Sequence, residues 1–165
     1  MPANMQKLKT VVQAINRTPG PLRRRALSLA LGKLVPYVGT SRLVIEEMTE
    51  TRCVVVARNL KPIRNHIGQV HAVAMSLAVE TATGFVTAMN IGPDALPLIK
   101  SLEVQYKKRT KGDIRAVATL TADQRQQMAG SERGNTVVEV HVTDATGDEP
   151  ISCTAVWAWV PRKKR

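Results

Sequence analysis

The sequence predicts an α+β domain in which one long buried helix lies across an antiparallel sheet. Residues 70–84 are apolar on nearly every side. The run is too long for an ordinary strand, and a helix that is apolar all round must be buried. Six other stretches have strand character, and their short, turn-rich connections favour antiparallel neighbours. Hydrophobic residues fill 44% of the 165 positions, enough for one domain with a real core and no need of disulfides. Aromatic residues are only 3%, so that core is built from Val, Leu, Ile, Ala and Met. The same scarcity disfavours a base-stacking platform.

The elements follow in order. Met5, Leu8, Val12 and Ile15 recur at helical spacing. Thr18-Pro19-Gly20-Pro21 breaks that helix, and a second is expected from Leu22 to about Val35, ahead of Pro36. Residues 42–49 and 51–58 read as two strands joined near Glu50. A polar loop, 59–68, leads into the buried helix, whose expected stop is near Gly84. A third strand is expected over 98–109, with Leu102, Val104 and Tyr106 on one face. Lys111-Gly112-Asp113 turns into a fourth strand, 114–120, and Thr121 opens a short helix to about Ala129. Val138, Val140 and Val142 alternate along 135–143, and Trp157 and Trp159 share a face of the last strand, 151–160.

The formal charge is +11, and its placement matters more than its size. Residues 1–34 hold seven basic residues and no acid, and Arg162–Arg165 hold four more; between them the chain is neutral. The central domain is therefore not a basic nucleic-acid module, and no specific nucleic acid is expected. The basic ends offer contact with an anionic surface or ligand. The N-terminal helices either dock on the domain or a partner subunit, or lie on a membrane surface through Arg23–Arg25. Cys53 and Cys153 have no metal spacing and read as reduced, core-packed thiols of a cytoplasmic protein. Three scattered His residues and no Cys pair predict no metal, and there is no Gly-rich phosphate loop or Ser-centred elbow. No cofactor is expected.

One segment carries chemistry. Asn65-His66-Ile67-Gly68-Gln69-Val70-His71-Ala72 runs into the buried helix, and Glu80 is the only charge between Val70 and Gly84. An ionised carboxylate on an apolar helix is costly unless paired or hydrogen-bonded. Glu80 is therefore either a buried ion-pair or wet-interface residue, or a general base or nucleophile whose pKa burial raises. Asn65-x-x-Gly68-x-x-His71, followed nine residues later by an acid, resembles the start of the central helix in hot-dog-fold thioesterases of the phenylacetate-degradation type. Leu102–Lys108 with Lys111-Gly112-Asp113 is similar to the strand and turn that follow. The resemblance covers roughly residues 42–161 and points to a branch described as a domain of unknown function.

That resemblance implies a hot-dog domain over 37–161, preceded by a basic helical extension, 1–36, and followed by a basic tail, 162–165. It implies hydrolysis of an acyl-CoA thioester to a carboxylic acid and coenzyme A. Asn65 would orient the thioester or the attacking water, Gly68 and His71 would shape the helix start, the Ala72 backbone N–H would form the oxyanion hole, and Glu80 would be the catalytic carboxylate. His71 itself reads as a capping or packing residue. The sequence departs at Ala72-Val73, where the family has Gly-Gly, and near Ile99, where it has Ser or Thr; Ser101 stands close by. The Ala72-Val73 departure motivates an alternative, a non-catalytic binder of acyl-CoA or fatty-acyl ligands.

Nine residues of helix span ~13.5 Å and half a revolution, so His71 and Glu80 of one helix cannot serve one substrate. Two such helices side by side in a homodimer, or in a tetramer built from dimers, bring the helix start of one copy to Glu80 of the other. Free N–H groups at the helix start would then stabilise an oxyanion, and Glu80 would activate water or attack the carbonyl. Lys107, Lys108, Arg109 and Lys111 either form a solvated strand end or hold the phosphates of coenzyme A. His66 and His141 read as exposed. Met75, Leu77, Phe85 and Met89 are the side chains expected to set the pocket.

Overall fold

The computed structural model describes residues 5–162; the expected tail residues 163–165 and residues 1–4 lie outside them. The N-terminal region folds as α1 (Met5–Asn16), α2 (Gly20–Leu34) and a short α3 (Pro36–Thr40). Pro19 and Val35 are non-helical at the α2 boundaries, and α2 and α3 each open with a proline in the first turn, where its missing N–H costs nothing. Leu8, Val12, Leu27 and Leu31 are buried and belong to the same core as the rest of the chain. The N-terminal helices thus dock on the domain. Glu46 fastens them to the sheet, pairing with Arg24 of α2 and Arg115 of the fourth strand.

Six strands follow: β1 (Val44–Met48), β2 (Arg52–Ala57), β3 (Ala95–Tyr106), β4 (Ile114–Thr119), β5 (Gly134–Asp144) and β6 (Ile151–Pro161). They form one antiparallel sheet in the order β1-β2-β4-β5-β6-β3. The long helix α4 (Ala72–Ala88) lies against it, with Ala78, Val79, Ala82 and Val86 fully buried. A shorter helix, α5 (Ala122–Gly130), begins with a capping box in which Thr121 and Gln124 exchange hydrogen bonds. Val138 and Val142 of β5, and Trp157 and Trp159 of β6, are buried as their alternation predicts, and Val140 is partly buried against the same core.

The short α3 is not expected from the sequence, and two elements differ most from their expected spans. β3 spans Ala95–Tyr106 rather than 98–109, because the long antiparallel pairing with β6 starts at Ala95–Pro161 and ends at Tyr106–Ile151. α4 runs past Gly84 to Ala88 because Gly84 is a packing position: a Cβ there would stand 2.7 Å from the ring of Trp157.

The two sheet edges are unlike. β1 is covered by α2, and the Ile45 N–H donates to Ser28 Oγ at 2.9 Å. β3 pairs with β6 on one side only and leaves Leu98 and Ile99 exposed. Cys53 is buried on β2, and Cys153, on β6, is half-buried; both are free thiols, and burial pushes the Cys153 thiol up to about 11. No helix among the described residues is long and apolar enough to cross a membrane.

Candidate active site

The start of α4 is built by the loop before it. Asn65 Oδ1 accepts the N–H groups of Ile67 and Gln69 at 3.1 and 3.0 Å, and Gly68 closes this turn at φ +77°, a conformation that favours glycine. The His71 N–H donates to Ile63 O at 2.8 Å, which fixes where the helix begins. His71 is the N-cap, its Nδ1 accepting the Val73 N–H at 3.1 Å. The capping role expected for His71 is what the structure shows. The next N–H, that of Ala72, has no acceptor among the described residues. The first N–H groups of a helix have no partner inside it and lie at the positive end of its dipole. Ala72 N–H is therefore available to an anionic or developing negative oxygen.

Tyr106, at the end of β3, ties the strand to this helix start: its hydroxyl lies 2.8 Å from Ser76 Oγ and donates to Ala72 O at 3.2 Å. The basic run Lys107–Lys111 begins one residue beyond that contact. Lys107, Lys108, Arg109 and Lys111 are exposed. Lys108 pairs with Asp148 at 3.0 Å, and the Lys111 backbone N–H donates to Asp144 Oδ2 at 2.9 Å.

Glu80 sits halfway along α4 on the wall of a cavity of about 320 Å³, with Thr81, Gly84, Phe85 and Trp157 beside it. Its carboxylate has no ion pair or hydrogen bond among the described residues, so no buried salt bridge explains its presence. Burial alone raises its pKa, because desolvation penalises the charged form. The neighbouring Thr81 hydroxyl is buried and has no hydrogen-bond partner among the described residues. On the same wall the Trp157 Nε1–H donates to Thr83 Oγ1 at 2.8 Å, and Gly84 leaves room for the indole.

The structure brings Asn65, Gly68, His71 and Ala72 together and sets Glu80 apart from them. None of those four lines the cavity. Of the side chains expected to shape a pocket, Phe85 lines it; Met75 is packed in the core, Met89 lies elsewhere and Leu77 is not on its wall. His66 and His141 are exposed, with His141 Nε2 3.0 Å from Glu139. Thr81, Trp157 and the N-terminal helices joined the site without notice from the sequence. Thr81 carries no signal of its own in the sequence, and the other contacts exist only once the chain is folded.

A six-stranded antiparallel sheet wrapped on one long helix is the hot-dog fold, and solved structures similar to the chain agree. One is a Pseudomonas aeruginosa protein of unknown function described as a "Probable Thioesterase", with TM-score 0.74 and 21% identity over 88% of this chain and 97% of that one. A thioesterase family protein from Silicibacter pomeroyi aligns with TM-score 0.66 and 15% identity, covering 81% and 96%. A Haemophilus influenzae thioesterase aligns with TM-score 0.69 and 10% identity, covering 86% and 93%. Residues 23–160 match the family described as Domain of unknown function (DUF4442), and the chain belongs to it. No curated protein matches the chain significantly.

Proposed function

We propose that the protein is an acyl-CoA thioesterase whose two sites are shared between the copies of a homodimer. The observation that carries this reading is Glu80, a half-buried carboxylate without a partner among the described residues, on the wall of an apolar cavity. Desolvation keeps such a group basic, which suits proton abstraction near neutral pH. The hot-dog neighbours described as thioesterases support the same class of reaction.

In the proposed reaction the thioester oxygen lies at the Ala72 N–H of one copy, and Glu80 of the other copy faces the carbonyl carbon. Glu80 takes a proton from water as the water oxygen attacks that carbon. The tetrahedral oxyanion is held by the helix-start N–H. Its collapse breaks the C–S bond, and the proton on Glu80 passes to the departing thiolate, leaving a carboxylic acid and free coenzyme A. In the direct route the Glu80 carboxylate attacks the carbonyl carbon and the C–S bond breaks as coenzyme A thiolate leaves. Water then cleaves the acyl-Glu80 anhydride, its hydroxyl joining the acyl group as the carboxylic acid, one proton passing to the thiolate and Glu80 returning as carboxylate. Asn65 Nδ2, whose amide oxygen is committed to the turn, orients the thioester or the water. The exposed cluster Lys107, Lys108, Arg109 and Lys111 meets the coenzyme A phosphates.

The test is a panel of acyl-CoAs with thiol detection, run on the wild type and on Glu80→Gln. Thiol release by the wild type that is lost in the variant supports the assignment; equal release by both overturns it. A second reading, a non-catalytic acyl-CoA binder, is favoured by the exposed Val73 side chain, which stands at the helix start where close substrate approach is needed. Tight acyl-CoA binding without thiol release over hours selects that reading.

A further inference from the structure

The cavity beside Glu80 follows one stripe of α4. Glu80, Gly84 and Ala88 recur every four residues along it, a run of ~12 Å of helix axis. Beyond Glu80 and Thr81 the wall on this side is apolar. Facing it are the N-terminal helices, with Leu8 of α1, Leu34 at the end of α2, Val35 between helices and Val38 of α3; Leu96 and Pro97 of β3, Trp157 of β6 and Arg162 complete the lining. These helices are held in place at several points. Lys9 Nζ donates to Ile91 O at 3.0 Å, just past the end of α4. Asn16 Nδ2 donates to Met48 O at 2.8 Å on β1. Leu8 and Val38 are buried, while Leu34 and Val35 are partly buried against the core.

We infer that α1–α3 form the closing wall of the acyl pocket, so that Leu34, Val35 and Val38 set the length of acyl chain the protein accepts. The inference rests on the thioester reading of Glu80 and names its substrate class: unbranched aliphatic acyl groups of medium length. The lining supplies mostly apolar surface to an alkyl tail; its polar side chains are Glu80 and Thr81 on α4, at the end where the carbonyl chemistry is placed, and Arg162. A volume of about 320 Å³ lies near the lower end of the ~300–1,000 Å³ found for ligand pockets. It holds the tail of the substrate and leaves the coenzyme A portion outside. Each buried methylene strengthens binding about fourfold until the wall is met.

The experiment uses the full chain and saturated acyl-CoAs from acetyl to palmitoyl. Wild-type kcat/KM rises about fourfold per methylene and then breaks at a cut-off length. Leu34→Phe and Val35→Phe, both at half-buried positions, move the break to shorter chains, and Leu34→Ala moves it to longer ones. The ratio of decanoyl to butanoyl efficiency falls at least tenfold in the Phe variants. A break at the same length in all three variants overturns the inference while leaving the thioesterase reading intact. If the wild type releases thiol from no member of the panel, the thioesterase reading falls instead. Calorimetric binding of the same acyl-CoAs to wild type and Leu34→Phe then reads the wall directly. Weaker decanoyl-CoA binding in the variant supports it, and equal binding overturns it.

Discussion

Trp157 occupies the space that a side chain on Gly84 would need: a Cβ built there would lie 2.7 Å from two atoms of the indole ring. The glycine therefore lets a β6 side chain reach α4 and complete the cavity wall, with its Nε1–H bonded to Thr83 Oγ1. Gly84→Ala is expected to destabilise the fold by ~1–3 kcal/mol, since overpacking outweighs the better helix propensity of alanine. Urea unfolding checks the loss, and a shift in tryptophan fluorescence reports the displaced ring.

Glu80 gives two linked pH dependences. Its pKa is raised by burial, so kcat/KM is expected to rise with pH through an apparent pKa above the ordinary value of 4.5. Below that pKa the carboxyl is protonated and cannot act as base. The stability effect has the opposite sense for the wild type. Below pH 4.5 both folded and unfolded chains carry the protonated acid, and the group costs nothing as an ion. As pH rises from there the unfolded chain ionises first, so wild-type stability falls until the folded carboxyl has also ionised. Glu80→Gln never ionises. Its stability advantage over the wild type should open above pH 4.5, grow through the folded-state pKa and then stay constant. Unfolding curves at several pH values measure it, and a gap that shrinks with rising pH contradicts the burial of Glu80. The turnover loss in the same variant is expected to be ~100-fold or more.

His71 is an N-cap before it is anything else. His71→Ala should cost ~0.5–2 kcal/mol of stability, and His71→Asn, which restores a side-chain acceptor for the Val73 N–H, should recover most of it. Comparing urea midpoints of the two variants separates capping from chemistry. If the Asn variant is stable and also turns over acyl-CoA, the imidazole takes no part in the reaction.

The open edge of β3 gives a test of assembly. Lysines on edge strands oppose pairing, and Leu98 and Ile99 are exposed there. If the proposed homodimer pairs through this edge, the double substitution Leu98→Lys and Ile99→Lys shifts sedimentation from dimer to monomer. Because the helix start and Glu80 of one copy stand ~13.5 Å apart along α4, activity should fall in step with dissociation. A fully active monomer would mean that one copy holds a complete site.

The parts of the fold set by local rules were legible. The alternation of Val138, Val140 and Val142 and the shared face of Trp157 and Trp159 placed β5 and β6, and the lone charge on an apolar run drew attention to Glu80. The stop expected at Gly84 was not, because a glycine that ends a helix and one that admits a neighbour look alike until that neighbour is known. Thr81 was hidden for a related reason. Thr83 and Thr87 return their hydroxyls to carbonyls four residues back, at 2.8 Å each, as threonines in helices do. Thr81 makes no such bond, and nothing in the sequence marks the difference. Leu34 and Val35 look like ordinary apolar helix residues, and their place on the cavity wall comes only from the way α2 and α3 turn back over the sheet.

The unlike edges of the sheet also govern how far it can grow. With β1 sealed by α2 and Ser28, and β3 bare, each copy has one adhesive side and one inert side. Edge-to-edge addition between two bare sides uses both and leaves nothing for a third copy to continue. A strand arrangement that in other proteins seeds fibrils would here be self-terminating in the proposed homodimer, with Ser28 as its chain stopper.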